Sequence, residues 1–373
     1  MYFYLKVHTT IVRSSRKLQQ YKHMVRYSTE ILISIYQSSL GVIINTNVDV
    51  IKAKSAPQTN IPDVCLTLEQ LPNELFLHVF SYLNIQHLYS AFWGLNTRIN
   101  NLFQSYENLS LTFDNKTDQL LMKSYASYIT RLIIDTSIKC DLTQFPNLQK
   151  LIVCDSNQTH LKQIHPSIIP NLTRLSFLLG SIFIPPLELV NNVFSNKFPS
   201  LTHVNLGKIN DLSDYTWLTS PSLRFVSIRC NEPLIISCIL GSCPNLDHLQ
   251  VHVFNKIRDD AFSSPPSNHP LRRFTLWSDS IELTITDIDT ILVNTPNIQH
   301  FYLQTISTKP FTDLTNVIIN RLNRLSCFDC YVKEMTIKQM RIGDLATVHR
   351  IHSSFNRIKC RDESNDFRLF ATE

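Results

Sequence analysis

Nine cysteines and thirteen histidines are the residues of this 373-residue chain best suited to metal binding or nucleophilic attack. The cysteines are Cys65, Cys140, Cys154, Cys230, Cys238, Cys243, Cys327, Cys330 and Cys360. Cys327-Phe328-Asp329-Cys330 is a lone C-x-x-C. A zinc site would want a second such pair or an H-x-x-x-H, and neither follows. A redox pair would sit at a helix start after a strand. Two structural thiols are therefore expected. The odd count, with many cysteines in apolar runs, suits a reducing compartment. His248 and His252 would share a face as i, i+4 neighbours in a helix, but here they fall on strand-like sequence with no third ligand beside them. No G-x-S-x-G elbow, H-E-x-x-H helix or Cys/His nucleophile arrangement is present. Gly is scarce, with 6 residues, and no phosphate-cradling glycine loop exists. The chain is expected to be no enzyme, and to need no cofactor and no metal.

The elements that position these residues follow from composition and pattern. With 43% hydrophobic and 17% charged residues the balance is that of a globular protein, long enough for two structural units. The net charge of +5 is uneven. Residues 1–60 hold eight Lys or Arg against two acids, so the remainder is close to neutral and a nucleic-acid-binding body is not expected. Residues 1–60 read as a basic, disordered head and linker. Their first thirty residues have a faint transit-like character, which is not the favoured reading. No run of about 20 apolar residues marks a membrane span.

Residues 68–103 form the most informative segment. Leu71-Pro72-Asn73-Glu74-Leu75 opens a short helix, with Pro at its start where the missing N–H costs nothing. Leu75, Phe76, Val79, Phe80 and Leu83 follow at helical spacing. A second helix is expected through Leu88, Phe92, Leu95 and Ile99. Such a pair is too small to be stable alone and calls for a partner. Leu71-Pro72-Asn73-Glu74-Leu75, Val79-Phe80-Ser81-Tyr82-Leu83 and Leu88 resemble an F-box, the helical module by which substrate receptors dock onto the adaptor of a cullin-based SCF ubiquitin ligase. The resemblance covers about forty residues. It implies adaptor contacts from Leu71, Pro72, Glu74, Leu75, Val79, Phe80, Leu83 and Leu88.

After this segment one pattern recurs. Its clearest copies are Phe145-Pro146-Asn147-Leu148-x-x-Leu151-x-Val153, Ile169-Pro170-Asn171-Leu172-x-x-Leu175-x-Phe177 and Cys243-Pro244-Asn245-Leu246-x-x-Leu249-x-Val251. Pro199, Pro221, Pro270 and Pro296 head four more, with one residue lost after Pro270. Successive prolines are 24, 29, 22, 23, 26 and 26 residues apart. Two copies without Pro flank them, ending at Ile134 and Cys327. The final L-x-L reads as a short strand with one buried face. Leu187–Phe194, Leu234–Leu240 and Ile285–Leu292 read as helices between strands. One strand and one helix per copy cannot bury their own faces, so the copies must stack. The pattern resembles an irregular leucine-rich repeat. The asparagine expected at the ninth position of each copy is mostly missing.

The fold expected is therefore α/β. A short all-helical F-box is followed by an irregular leucine-rich-repeat solenoid whose parallel sheet lines the concave face. The boundaries are 61–108 for the helical module, 109–335 for the solenoid and 336–373 for a C-terminal cap or tail. Residues beside the buried leucines should face solvent. The column before the first strand leucine reads Arg131, Lys150, Arg174, His203, Phe225, His248, Arg273, His300 and Arg324. The next columns hold Ile152, Ser176, Asn205, Ser227, Gln250, Thr275 and Tyr302, then Cys154, Leu178, Gly207, Arg229, His252, Trp277 and Gln304. Arg131, Lys150, Arg174, Arg273 and Arg324, with Phe225, Trp277 and Tyr302 as aromatic anchors, are the candidate partner contacts. An acidic or phosphorylated protein segment would suit them. The function expected is a non-catalytic substrate-recognition subunit working in the cytoplasm or nucleus. The alternative is a repeat scaffold whose F-box-like helices only cap the solenoid.

Overall fold

The computed structural model describes residues 72–81, 83, 85–106, 109–113, 125–135, 140–154, 158–178, 183–209, 217–231, 234–254, 269–335, 345–364 and 367–372. The basic head and Leu71 lie outside these residues. The chain divides into two compact units, Met1–Leu111 and Thr112–Glu373.

In the first unit, α1 (Asn73–Phe80) begins directly after Pro72, with Glu74 complementing the positive end of its dipole. The segment expected to be one further helix is two, α2 (Ile85–Phe92) and α3 (Thr97–Ser105). The break has two local causes. Gly94 takes φ +81 and donates its N–H to Asn100 Oδ1 at 2.9 Å. Asn96 then caps α3, its side chain accepting from the Ile99 N–H at 2.8 Å. Phe76, Val79, Phe80, Ile85, Leu88, Phe92, Ile99 and Phe103 are buried together. Phe80 is the hub of this core. Its ring centroid lies 5.4 Å from that of Phe92, 6.2 Å from that of Phe103 and 5.9 Å from that of Tyr106, all edge-on.

Among the described residues the sheet has twelve strands: β1 (Leu109–Phe113), β2 (Ile129–Ile134), β3 (Lys150–Val153), β4 (Arg174–Phe177), β5 (His203–Ile209), β6 (Phe225–Cys230), β7 (His248–Val253), β8 (Arg273–Glu282), β9 (His300–Ser307), β10 (Cys327–Met335), β11 (Ile358–Ser364) and β12 (Phe367–Thr372). They lie side by side in chain order up to β10, followed by β12 and then β11. From β2 to β10 every neighbouring pair is parallel. β12 pairs antiparallel with β10, and β11 antiparallel with β12, so these two strands close the parallel run as an antiparallel pair. Between strands lie α4 (Gln158–Gln163), α5 (Leu187–Phe194), α6 (Leu234–Ser242), α7 (Ile285–Leu292) and α8 (Phe311–Arg321), and α9 (Leu345–Ile351) precedes β11. α5 and α7 coincide with the stretches expected to be helical.

One recurring contact sets the stacking. The two residues that follow the Leu of each turn donate their backbone N–H groups to a single carbonyl in the preceding copy. Thr173 and Arg174 both donate to Gln149, Thr202 and His203 to Thr173, Arg224 and Phe225 to Thr202, and Asp247 and His248 to Arg224. Arg272 and Arg273 bond Asp247 in the same way, Gln299 and His300 bond Arg272, and Ser326 and Cys327 bond Gln299. The asparagine of the Pro-Asn-Leu turn adds a side-chain rung: the Nδ2 of Asn147, Asn171, Asn245 and Asn297 donates to the backbone carbonyl of Ser127, Pro146, Pro221 and His269. An asparagine ladder is thus present in the turn.

Two irregularities are absorbed locally. The copy that lost a residue uses His269, which is buried. Its Nε2 lies 2.9 Å from the Cys243 carbonyl, and its Nδ1 accepts the Leu271 N–H at 3.2 Å. The strand β5 carries one extra residue: Asn205 faces Ser227 and Gly207 faces Ile228. Gly207 sits at φ +74, and a Cβ there would come 3.4 Å from Phe183 Cδ1. Gly207→Ala is expected to destabilise the protein by about 1–2 kcal/mol, the cost of holding an L-residue in the left-handed region. Chemical denaturation of both proteins measures it, and an unchanged midpoint would show that the bulge relaxes freely.

Candidate functional site

Along β2 to β10 side chains alternate between a fully buried face and a half-exposed face. The half-exposed face is the candidate site. Its first column runs in register as Arg131, Lys150, Arg174, His203, Phe225, His248, Arg273, His300 and Cys327. Arg324 does not belong to it. The last copy is Leu325-x-x-Phe328-x-Cys330, three residues later than the spacing suggested, because Ser326 and Cys327 are the residues that bond Gln299. Arg324 stands on the exposed turn, in the place of the asparagine. The bulge also moves Gly207 out of the third column and brings Lys208 opposite Arg229, followed by His252, Trp277, Gln304 and Tyr331.

The basic column is not uniformly charged. Burial lowers the pKa of His203, and the Arg174 guanidinium lowers it further. Burial also lowers that of His248, with Arg273 acting the same way, Asp247 opposing and His203 adding a smaller push downward. Both rings are therefore neutral at pH 7. Phe225 lies between them, stacked on His203 at 5.8 Å and edge-on to His248 at 4.8 Å between ring centroids. The column thus consists of three cations, three neutral rings, then Arg273, His300 and Cys327. A second aromatic group lies beside it. The Trp277 ring stacks on His252 at 5.6 Å, and Lys208 Nζ stands 4.4 Å from the ring centroid of Phe254. Tyr302 donates its hydroxyl to Gln304 Oε1 at 3.0 Å.

The C-x-x-C pair is divided by the pleat. Cys330 is buried, and burial together with Asp329 pushes its thiol pKa up. Cys327 lies on the half-exposed face, 3.5 Å from Asp329 Oδ2. Among the described residues no group of three or more His, Cys, Asp or Glu side chains is arranged to hold a metal ion.

In the helical unit the residues singled out by sequence separate into two sets. Val79, Phe80 and Leu88 are core, so they hold the helices together and present no surface to a partner. Pro72 and Glu74 are exposed, and Leu75 and Leu83 are half-buried. Tyr89 and Leu95, which sequence reasoning did not assign to the surface, are 37% and 39% exposed. Arg98 closes the start of α1, its Nε and Nη2 donating to Asn73 Oδ1 at 2.9 and 2.6 Å.

No protein-family model matches the sequence, and no curated protein matches it.

The neutral histidines give a pH dependence with a definite sign. Burial lowers the His269 pKa too, opposed by its bond to the Cys243 carbonyl. The unfolded chain, with ordinary imidazoles near pKa 6.5, takes up protons before the folded one. Stability is therefore held above about pH 6.5 and lost as pH falls below it. Thermal melts should give a lower Tm at pH 5.5 than at pH 7.5. The gap should shrink in a His203→Gln, His248→Gln double variant, and an equal gap in both proteins would refute the assignment.

Proposed function

We propose that the chain is a non-catalytic substrate-recognition subunit of a cullin-based SCF-type ubiquitin ligase. Residues 68–103 act as an F-box that docks on the adaptor. Residues 109–335 act as an irregular leucine-rich-repeat solenoid whose half-exposed sheet face, taken as concave, binds a protein target. The chain supplies proximity: it holds the target's lysines near the ubiquitin-charged enzyme. Its place of work on this reading is the cytoplasm or the nucleus.

The main support is the division of labour within the helical unit. The motif residues Val79, Phe80 and Leu88 build the core, while Pro72 and Glu74 are exposed and Leu75 and Leu83 half-buried, and so remain open to a partner. A polar and basic sheet face in the second unit supports a target-binding role. Among the described residues no helix is long and apolar enough to cross a membrane.

The test is adaptor capture by the full chain. Substitutions at Phe80 would unfold the unit, so the surface carries the experiment. Leu75→Glu is expected to weaken adaptor capture at least tenfold while leaving the melting temperature within a few degrees. Wild-type protein that captures no adaptor, yet still captures a target through the sheet, would overturn the ligase role and leave a repeat scaffold.

A further inference from the structure

The half-exposed face places Arg131, Lys150 and Arg174 opposite one another on three adjacent strands. Arg131 and Arg174 are exposed and Lys150 is half-buried. Neighbouring strands are about 4.8 Å apart, so three cations stand along a line of about 10 Å. Among the described residues none of the three has a carboxylate partner. Elsewhere arginines do: Arg272 with Asp247, Arg321 with Asp289, Arg357 with Asp329 and Arg368 with Glu334. Stacked like charges repel, and an anionic occupant removes that repulsion. Two strands further on, the column continues as Phe225 between neutral His203 and His248.

We infer that this face takes an extended segment of a partner protein in which a run of Asp or Glu precedes or follows an aromatic residue by about three positions. The inference rests on the target-receptor reading of the sheet. The acids lie along Arg131, Lys150 and Arg174, and the aromatic ring packs on Phe225 and its flanking imidazoles. The spacing follows from the strands. From Arg174 to Phe225 is about 10 Å, and an extended chain covers that in about three residues at about 3.3 Å each. A run of carboxylates fits better than one phosphate. The three residues stand one per strand in a line across adjacent strands, and the strand N–H groups that could cradle a phosphate are engaged in the sheet. Neutral imidazoles at the centre also favour a ring over another anion.

The probe is a fluorescein-labelled peptide, Glu-Asp-Glu-Glu-Ser-Gly-Phe-Ser, titrated with the full chain and read by anisotropy. Binding is expected to weaken steeply with salt. It should fall at least tenfold in the Arg131→Glu, Lys150→Glu, Arg174→Glu variant, with the melting temperature held. That variant should instead bind the same peptide with Lys in place of its acids. Replacing the peptide's Phe by Ser should weaken wild-type binding severalfold, and Phe225→Ala should then add little. Equal binding by the triple variant overturns the inference. So does binding only of a version carrying a single phosphoserine in place of the acids, or tighter binding of single-stranded RNA. Loss of peptide binding with adaptor capture intact would reject this inference alone. Failed adaptor capture with peptide binding intact would reject the ligase role alone.

Discussion

The shared carbonyl between successive turns is the constraint on which the second unit depends. When Thr173 and Arg174 both donate to Gln149, and each later copy does the same, the start of every strand is pinned against its neighbour. Register then follows, because side chains alternate and a slip of one residue would exchange the leucine columns for the Arg and His columns. The Pro-Asn-Leu triplet serves this contact. Proline disfavours helix in the residue before it, the asparagine amide bonds the previous turn, and the leucine enters the core. The seven prolines are therefore an outward sign of a hydrogen-bond ladder.

Packing adjusts around that fixed ladder. The buried residue before each proline is large in the early copies, as Phe145, Ile169 and Phe198, and smaller or polar later, as Ser220, Cys243, His269 and Thr295. The first strand position changes the other way, from Leu151, Leu175 and Val204 to Phe274, Phe301 and Phe328. Phe274 and Phe301 stack nearly parallel, 5.6 Å between centroids. The copies of Ser220 and Cys243 keep Val226 and Leu249 at that position, so the exchange appears only from His269 onward. The polar members are satisfied where they stand: Ser220 Oγ donates to the Val193 carbonyl, and His269 bonds at both nitrogens.

Much of this was legible in the sequence because two signals coincided, a turn triplet and a period-two alternation. Where both were present, as at Leu148 to Val153, strand and facing were correct. Where one was missing, the reading failed for a physical reason. Leu322-x-x-Leu325 and Leu325-x-x-Phe328 satisfy the same spacing, and only the bonds to Gln299 choose between them. The break at Gly94 depends on a positive φ and on the Asn96 cap, which apolar spacing does not register. The closing antiparallel pair, polar along β11, shares no residue pattern with the copies that it ends. In the helical unit, apolar spacing found the core, and it was the F-box resemblance that read three of its buried residues, Val79, Phe80 and Leu88, as contacts.

Charge on the half-exposed face shows most clearly what sequence leaves out. Counting residue types makes the first column nearly all basic. Stacking changes its meaning, because a histidine wedged beside Phe225 and an arginine loses water and faces a like charge at once. Both effects act in the same direction, so the centre of the column becomes neutral and aromatic while its charge gathers at Arg131, Lys150 and Arg174 and again at Arg273. On the inferred binding mode, an evenly anionic segment would leave the rings uncovered and an apolar one would leave the cations unpaired, whereas a segment carrying both features at the strand spacing matches the column from Arg131 to His248.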